Sequence, residues 1–183
     1  MQRTKTNKIV YALSCDPSFT AFGWVVIEIN SQKVIDSGCI KTAPEAKKKR
    51  IRKSDDRINR IQEINKQLLS LIEKYDIRIL LSECPHGSQN ASAAVMIGAV
   101  LGLLQAISDC INIPIEWYSE EECKKFVLTK RSASKTEMIE AIKEELVIKW
   151  RNIKYIDEAV ADASAVYLTA VSKSELLKFM KHG

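Results

Sequence analysis

Three β-rich apolar segments follow one another before the first helical stripe, and beyond it apolar strands alternate with helices. The segments span 8–14, 22–29 and 33–41, each rich in Val, Ile and aromatic residues. With Asn30-Ser31 marking a turn, they predict a three-stranded antiparallel meander. Ser54 is placed to cap a helix whose apolar residues, Ile58, Ile61, Ile64, Leu68, Leu71 and Ile72, keep a 3.6-residue period to about Tyr75. A short strand over 77–81 then ends at Ser82-Glu83. Residues 90–111 read as a helix with apolar or small side chains on most sides, which predicts cover on both faces. A fifth strand over 113–118, helices over 119–128 and 134–148, and a last helix from an Asp157 cap to about Val171 complete the order β-β-β-α-β-α-β-α-α-α.

Length and composition set the outer limits. The chain has 183 residues, of which 46% are hydrophobic and 28% charged, enough for a real core in one domain spanning 1–183. No repeat or Gly/Ser/Pro linker divides it. No uncharged apolar run of about 18 residues is expected to span a membrane. The polar, basic start from Met1 to Lys8 runs into only a short apolar stretch, which lacks the length of a secretory signal. Five cysteines, at 15, 39, 84, 110 and 123, form no Cys-x-x-Cys pair, and there are two histidines. A disulfide framework and a zinc site are therefore not expected, and a reducing, cytoplasmic setting is.

Net charge is +5, which permits a polyanionic partner without requiring one. Its distribution says more, because residues 41–60 hold nine basic and three acidic side chains, a local excess larger than that of the whole chain. Lys47, Lys48, Lys49, Arg50, Arg52 and Lys53 are the candidates there for contact with a nucleic-acid backbone.

A few acids carry the chemistry. Asp16 follows an apolar strand and Glu83 ends another, so each would point into the crevice above a sheet. Either alone is ordinary turn chemistry. Asp162 is different, since it interrupts the small-residue run 159–166, where an unpaired carboxylate is costly. Glu158 lies one helical turn earlier on the same side, a spacing at which two carboxylates repel unless a cation sits between them. Asp157 falls elsewhere around the helix and is assigned to capping. Carboxylates from two strand ends and one helix describe a hard oxygen site suited to Mg²⁺ or Mn²⁺. Two such ions could activate water and stabilise a leaving oxygen in phosphodiester cleavage.

In Asp16-Pro17-Ser18, Thr20-Ala21-Phe22-Gly23-Trp24, Ser37-Gly38-Cys39-Ile40-Lys41-Thr42, Glu83, Asn90-Ala91-Ser92-Ala93 to Gly98, Ser132-Ala133-Ser134-Lys135 and Ala161-Asp162-Ala163, the chain resembles the RuvC-type Holliday junction resolvases of the RNase H-like superfamily. The resemblance implies an α/β fold, a mixed five-stranded sheet of three antiparallel and two parallel strands flanked by helices. It also implies that Asp16, Glu83 and Asp162 are catalytic, metal-binding acids. The family's fourth acid would fall at Ala159, a departure that leaves Glu158 as the substitute. Lys124 and Lys135 keep the separation of the family's functional lysines, with Lys135 near the scissile phosphate, where a cation offsets developing charge. His86 occupies the position of a base-stacking aromatic.

The activity implied is Mg²⁺-dependent cleavage of four-way DNA junctions by a homodimer, with Mn²⁺ an alternative and two ions per site. Gly98 to Gly102 offers a small-residue surface for close helix packing, in the core or across a two-fold axis. The first motif is shorter than in bacterial resolvases, which suits a phage-type or otherwise divergent member. Rival readings are a nuclease with looser preference for branched DNA, a junction-binding protein without catalysis, and a nuclease of RNA–DNA hybrids.

Overall fold

The computed structural model describes residues 9–45, 51–129 and 134–182. Lys47, Lys48, Lys49 and Arg50, like Ser132 and Ala133, lie outside the described residues. Strands β1 (Tyr11–Asp16), β2 (Ala21–Glu28) and β3 (Lys33–Lys41) form the expected antiparallel meander. β1 also pairs in parallel with β4 (Ile77–Cys84), and β4 in parallel with β5 (Ile115–Ser119). The order β3-β2-β1-β4-β5 is the mixed five-stranded sheet.

Helices cover both faces, so the central strands are apolar throughout. Helices α1 (Lys53–Tyr75) and α2 (Ala91–Ile111) enclose Leu13, Phe22, Val26, Ile40 and Leu80. Helices α3 (Glu120–Leu128), α4 (Lys135–Glu145), α5 (Lys154–Lys173) and α6 (Glu175–His182) lie on the other side, over Ala12, Val25, Ile27, Ile79 and Leu81. Removing each such Val, Ile or Leu side chain from water stabilises the fold by roughly 1.5–3 kcal/mol.

Strand parity now assigns faces. In β1, Leu13 and Cys15 face α1 and α2, while Ala12 faces α5. Ser14 shares the side of Ala12, and its buried hydroxyl donates to the Ala163 carbonyl of α5 at 2.6 Å. Asp16 follows in the same alternation. In β4, Ile79, Leu81 and then Glu83 face α5 in the same way.

Several boundaries differ from expectation for identifiable reasons. Helix α1 begins at Lys53, with Arg52 in the capping position and no side-chain cap, so Ser54 sits inside the first turn. Helix α4 stops at Glu145, because Leu146 and Ile148 are buried while Val147 is 96% exposed, a two-residue alternation that belongs to extended chain. The helix carrying Asp162 starts at Lys154, and Asp157 accepts from the Arg151 backbone N–H at 2.9 Å instead of capping its own helix. A sixth helix, α6, adds to the expected set, and the Ser174 hydroxyl accepts from Leu177 N–H at its start.

Helix α2 departs most. It is long and apolar enough, by length and composition alone, to cross a membrane. Among the described residues it is covered on one face and not, as expected, on both. Val100, Leu104 and Ile107 pack inward, while Val95, Gly98, Ala99 and Gly102 face outward. Among the described residues, a methyl added at Gly98 or Gly102 would meet nothing within 4 Å.

Candidate active site

Sheet register places the acids in one row. Asp16 lies opposite Gly23 of β2, Cys15 beside Ser82 of β4, and Glu83 beside Tyr118 of β5. Gly23, Asp16, Glu83 and Tyr118 therefore cross the sheet on the face that α5 covers. Above them, α5 comes so close that a Cβ at residue 23 would stand 2.6 Å from the Ala159 carbonyl carbon. Only glycine permits that approach. One turn on, Asp162 is carried over the ends of β1 and β4.

The electrostatics show that the acids share one environment. Burial first, then the charges of Asp162 and Glu83, raise Asp16 well above the ordinary aspartate value. Burial, then Asp162 and Glu120, push Glu83 up to about 7. Asp162 is also raised, because burial outweighs its ion pair with the Lys135 ammonium. Burial opposes the Lys135 charge, yet Asp162, Asp16 and Glu83 together hold its pKa above the usual lysine value. All three carboxylates keep partial access to solvent.

Local sequence explains the cation's position. Ser134 and Glu137 form a capping box, with Ser134 Oγ accepting from Glu137 N–H and the Glu137 carboxylate accepting from Ser134 N–H. Lys135 is thereby the first residue of α4, presented to Asp162. An equivalent box of Ser119 and Glu122 starts α3, which carries Glu120 and, one turn later, Lys124. Glu120 pairs with Lys124, a contact that holds its pKa below the ordinary glutamate value.

Glu120 is the acid that sequence reasoning overlooked. It acts electrostatically on Asp16, Glu83 and Asp162. Tyr118-Ser119-Glu120 repeats the signal of Asp16 and Glu83, an acid directly after a strand of the same sheet. Glu158 is half-buried one turn before Asp162, but the cation at Asp162 is Lys135 rather than a charge shared by the two acids. His86 is exposed on the loop after β4, close enough for its charge to act on Glu120. Arg52 is exposed and paired with Asp55 at 2.8 Å, and Lys53 is exposed at the start of α1.

An all-carboxylate donor set suits a hard divalent cation, and the mutual repulsion among these acids is a cost that such a cation relieves. Among the described residues, no three Asp, Glu, His or Cys side chains already form a metal-ready group. In this arrangement Lys135 donates to an oxygen of the Asp162 carboxylate.

Comparison with known proteins is consistent along most of the chain. The family model for crossover junction endodeoxyribonuclease RuvC matches residues 12–170. The RuvC of Endomicrobium trichonymphae is 29% identical over 163 residues, 87% of this chain and 80% of that protein. That of Shewanella frigidimarina is 28% identical over 136 residues, 73% of each. The structure of Thermus thermophilus RuvC with a Holliday junction substrate shares the fold at a TM-score of 0.71 and 18% identity, covering 91% of this chain and 96% of that one. A yeast mitochondrial Holliday junction resolvase gives 0.63 at 13% identity, over 95% and 82%. The chain belongs to the RuvC family of crossover junction endodeoxyribonucleases.

Proposed function

We propose that the chain is a metal-dependent endonuclease that resolves four-way DNA junctions, with Asp16, Glu83 and Asp162 as its metal-holding acids and Glu158 assisting. The observation that carries this reading is the convergence of those three acids with Lys135 at one end of the sheet. Mg²⁺, with Mn²⁺ as a substitute and two ions per site, would supply charge to activate water and offset the leaving oxygen. Lys135 stands where its ammonium can neutralise charge developing on the scissile phosphate. Lys124, His86, Arg52, Lys53 and the basic segment 47–50 bind the DNA arms. The protein works in the cytoplasm of a bacterium or of a phage-infected cell.

The test is to incubate labelled four-way, three-way and linear duplexes with and without Mg²⁺ and to map the cuts. A resolvase nicks the four-way junction symmetrically and strongly prefers it. Equal cutting of all three would replace this reading with a branched-DNA nuclease. Junction binding without cutting would favour a protein that has lost catalysis, which Ala159 at the fourth-acid position gives reason to consider. Preferential cutting of an RNA–DNA hybrid would replace both.

Within this mechanism, Lys135→Ala is expected to lower cleavage by a factor on the order of 10² to 10³. Junction affinity should fall only a few-fold. Because Lys135 and a metal compete for Asp162, the variant should also reach half its maximal rate at lower Mg²⁺. An unchanged rate would remove Lys135 from the active site.

We also place the homodimer on the outward face of α2. Val95 is 62% exposed there, and the glycines at 98 and 102 leave room for a second helix to approach closely. Val95→Asp is expected to shift the protein from dimer to monomer in sedimentation velocity and to uncouple the two nicks. A dimer of unchanged stability would locate the interface elsewhere.

A further inference from the structure

The strongest unexplained feature is a cavity of about 600 Å³ on the other side of the sheet end from the acids. Its walls come from the loop after β1, the segment after β3, α1 and the first turns of α2. Phe19, Ala93, Met96 and Ile97 make the lining largely apolar, and Lys53, Arg57 and Arg60 bring positive charge to it. The volume falls within the ~300–1,000 Å³ range of sites for small ligands.

Its cations are fixed in advance. The Arg60 guanidinium stacks on the Phe19 ring, 3.8 Å from the centroid. Its Nε donates to Thr42 Oγ1 at 2.9 Å and its Nη2 to the Phe19 carbonyl at 3.3 Å. Arg57 Nη2 donates to Ser92 Oγ at 2.6 Å. Among the described residues, neither arginine forms an ion pair with a carboxylate. The nearby acid, Asp56, is buried and accepts from the Glu45 backbone N–H at 2.8 Å. Asp56 also lines the cavity and its charge acts on Arg60, whereas the Arg57 guanidinium is held by Ser92 alone among the described residues. A placed guanidinium beside an apolar hollow complements a phosphate joined to a flat heterocycle.

Position identifies which phosphate. Phe19 is three residues beyond Asp16, and Asn90 to Ile97 open the helix that follows Glu83, so both cavity walls continue the chain beyond the strands that carry the acids. We propose that this cavity receives one unpaired nucleotide of the junction beside its branch point, with the base against Met96 and Ile97 and the phosphate on Arg57. The inference rests on the function proposed above and adds a second DNA site to it. A base taken out of its stack costs a few kcal/mol, least at a branch point where pairing is already interrupted. The site would thus favour junctions over continuous duplex.

The experiment uses the full chain without divalent metal and measures binding to an intact four-way junction and to junctions with one abasic residue at successive positions near the branch. The parent chain should lose about ten-fold in affinity at one abasic position and little at the others. Arg57→Gln should bind the intact junction about ten-fold more weakly and lower the slope of log affinity against log salt by about one. Ala93→Phe, which fills the cavity without altering charge, should bind the intact junction as weakly as the parent binds the sensitive abasic one, and should no longer discriminate between them. Thermal melts check that both variants fold. If Ala93→Phe does not, Met96→Ala takes its place with the same expected loss of discrimination. Parent-like binding by the cavity variant, whether or not Arg57→Gln weakens affinity, would overturn the nucleotide site and leave the function standing. A parent chain that binds no four-way junction would overturn the function and this site with it.

Discussion

Asp16→Asn is expected to abolish junction cleavage and, at the same time, to stabilise the metal-free fold. Cleavage should drop by a factor on the order of 10³ or more, since the substitution removes a carboxylate from the centre of the proposed metal site. Junction binding should stay within a few-fold of the parent, because DNA affinity resides in the basic surface. The stability gain follows from the site's own repulsion. Asp16 is raised by burial and by Asp162 and Glu83, and Glu83 is raised to about 7 by burial, Asp162 and Glu120, so ionising either carries a cost in the metal-free fold. For Glu83 the displacement corresponds to at most about 3 kcal/mol. Halving that for partial solvent access leaves about 1.5 kcal/mol for Glu83→Gln, or roughly 3–6 °C in Tm for a chain of this size, and Asp16→Asn should shift Tm in the same direction.

The sign can be checked against pH. A carboxyl whose folded pKa lies above its unfolded value binds its proton more tightly in the folded chain. Its cost is absent below the unfolded value, grows between about 4.5 and 7 for Glu83, and is complete above that. The metal-free parent should therefore lose stability from this group as pH rises from about 4.5 to 7, and Glu83→Gln should flatten the decline through that window. Cleavage should be lost in Glu83→Gln as in Asp16→Asn. Destabilisation of both variants at pH 8, or full activity in either, would remove these acids from a shared site.

How much of this was readable beforehand depends on the kind of information each residue carries. Asp16 and Glu83 were legible because each follows a strand buried on both sides, and parity then fixes the face on which each emerges. Asp162 was legible because a charge among Ala161, Ala163 and Ala165 needs a reason. Glu120 carries the same local signal, but its relevance depends on β5 lying beside β4, which is a property of sheet order and not of nearby sequence. The end of α4 at Glu145 turns on whether Leu146 and Ile148 find a core at two-residue spacing, and a helical pattern reaches the same residues. Helix α2 shows the opposite failure. Its composition is that of a buried element, yet among the described residues no further element packs on its outer face, a matter of layer order that no periodicity records.

Among the described glycines, Gly23→Ala should have the largest effect on stability. At Gly23 a Cβ would overlap the carbonyl group and Cβ of Ala159, which belong to a helix held from beneath by the Ser14–Ala163 hydrogen bond and by buried Ala163, Val166 and Ala170. No flexible side chain is available to move aside, so β2 or the whole of α5 must shift. Overpacking in a core ordinarily costs about 1–3 kcal/mol, and a clash with two backbone atoms belongs at or above the upper end. A loss of about 3 kcal/mol should lower Tm by roughly 6–12 °C. The consequence for function is separable from the loss of stability. Displacing α5 by even a fraction of an ångström carries Asp162 away from Asp16 and Glu83, so cleavage measured well below the variant's melting temperature should still fall at least ten-fold, while junction binding survives. A comparable substitution away from this contact, Gly102→Ala on the open face of α2, should leave both Tm and the rate of cleavage near the parent's, because nothing lies within 4 Å of the added methyl. If Gly23→Ala melted and cut like the parent, α5 would not rest on β2 in this way, and the placement of Asp162 over the strand ends would fall with it.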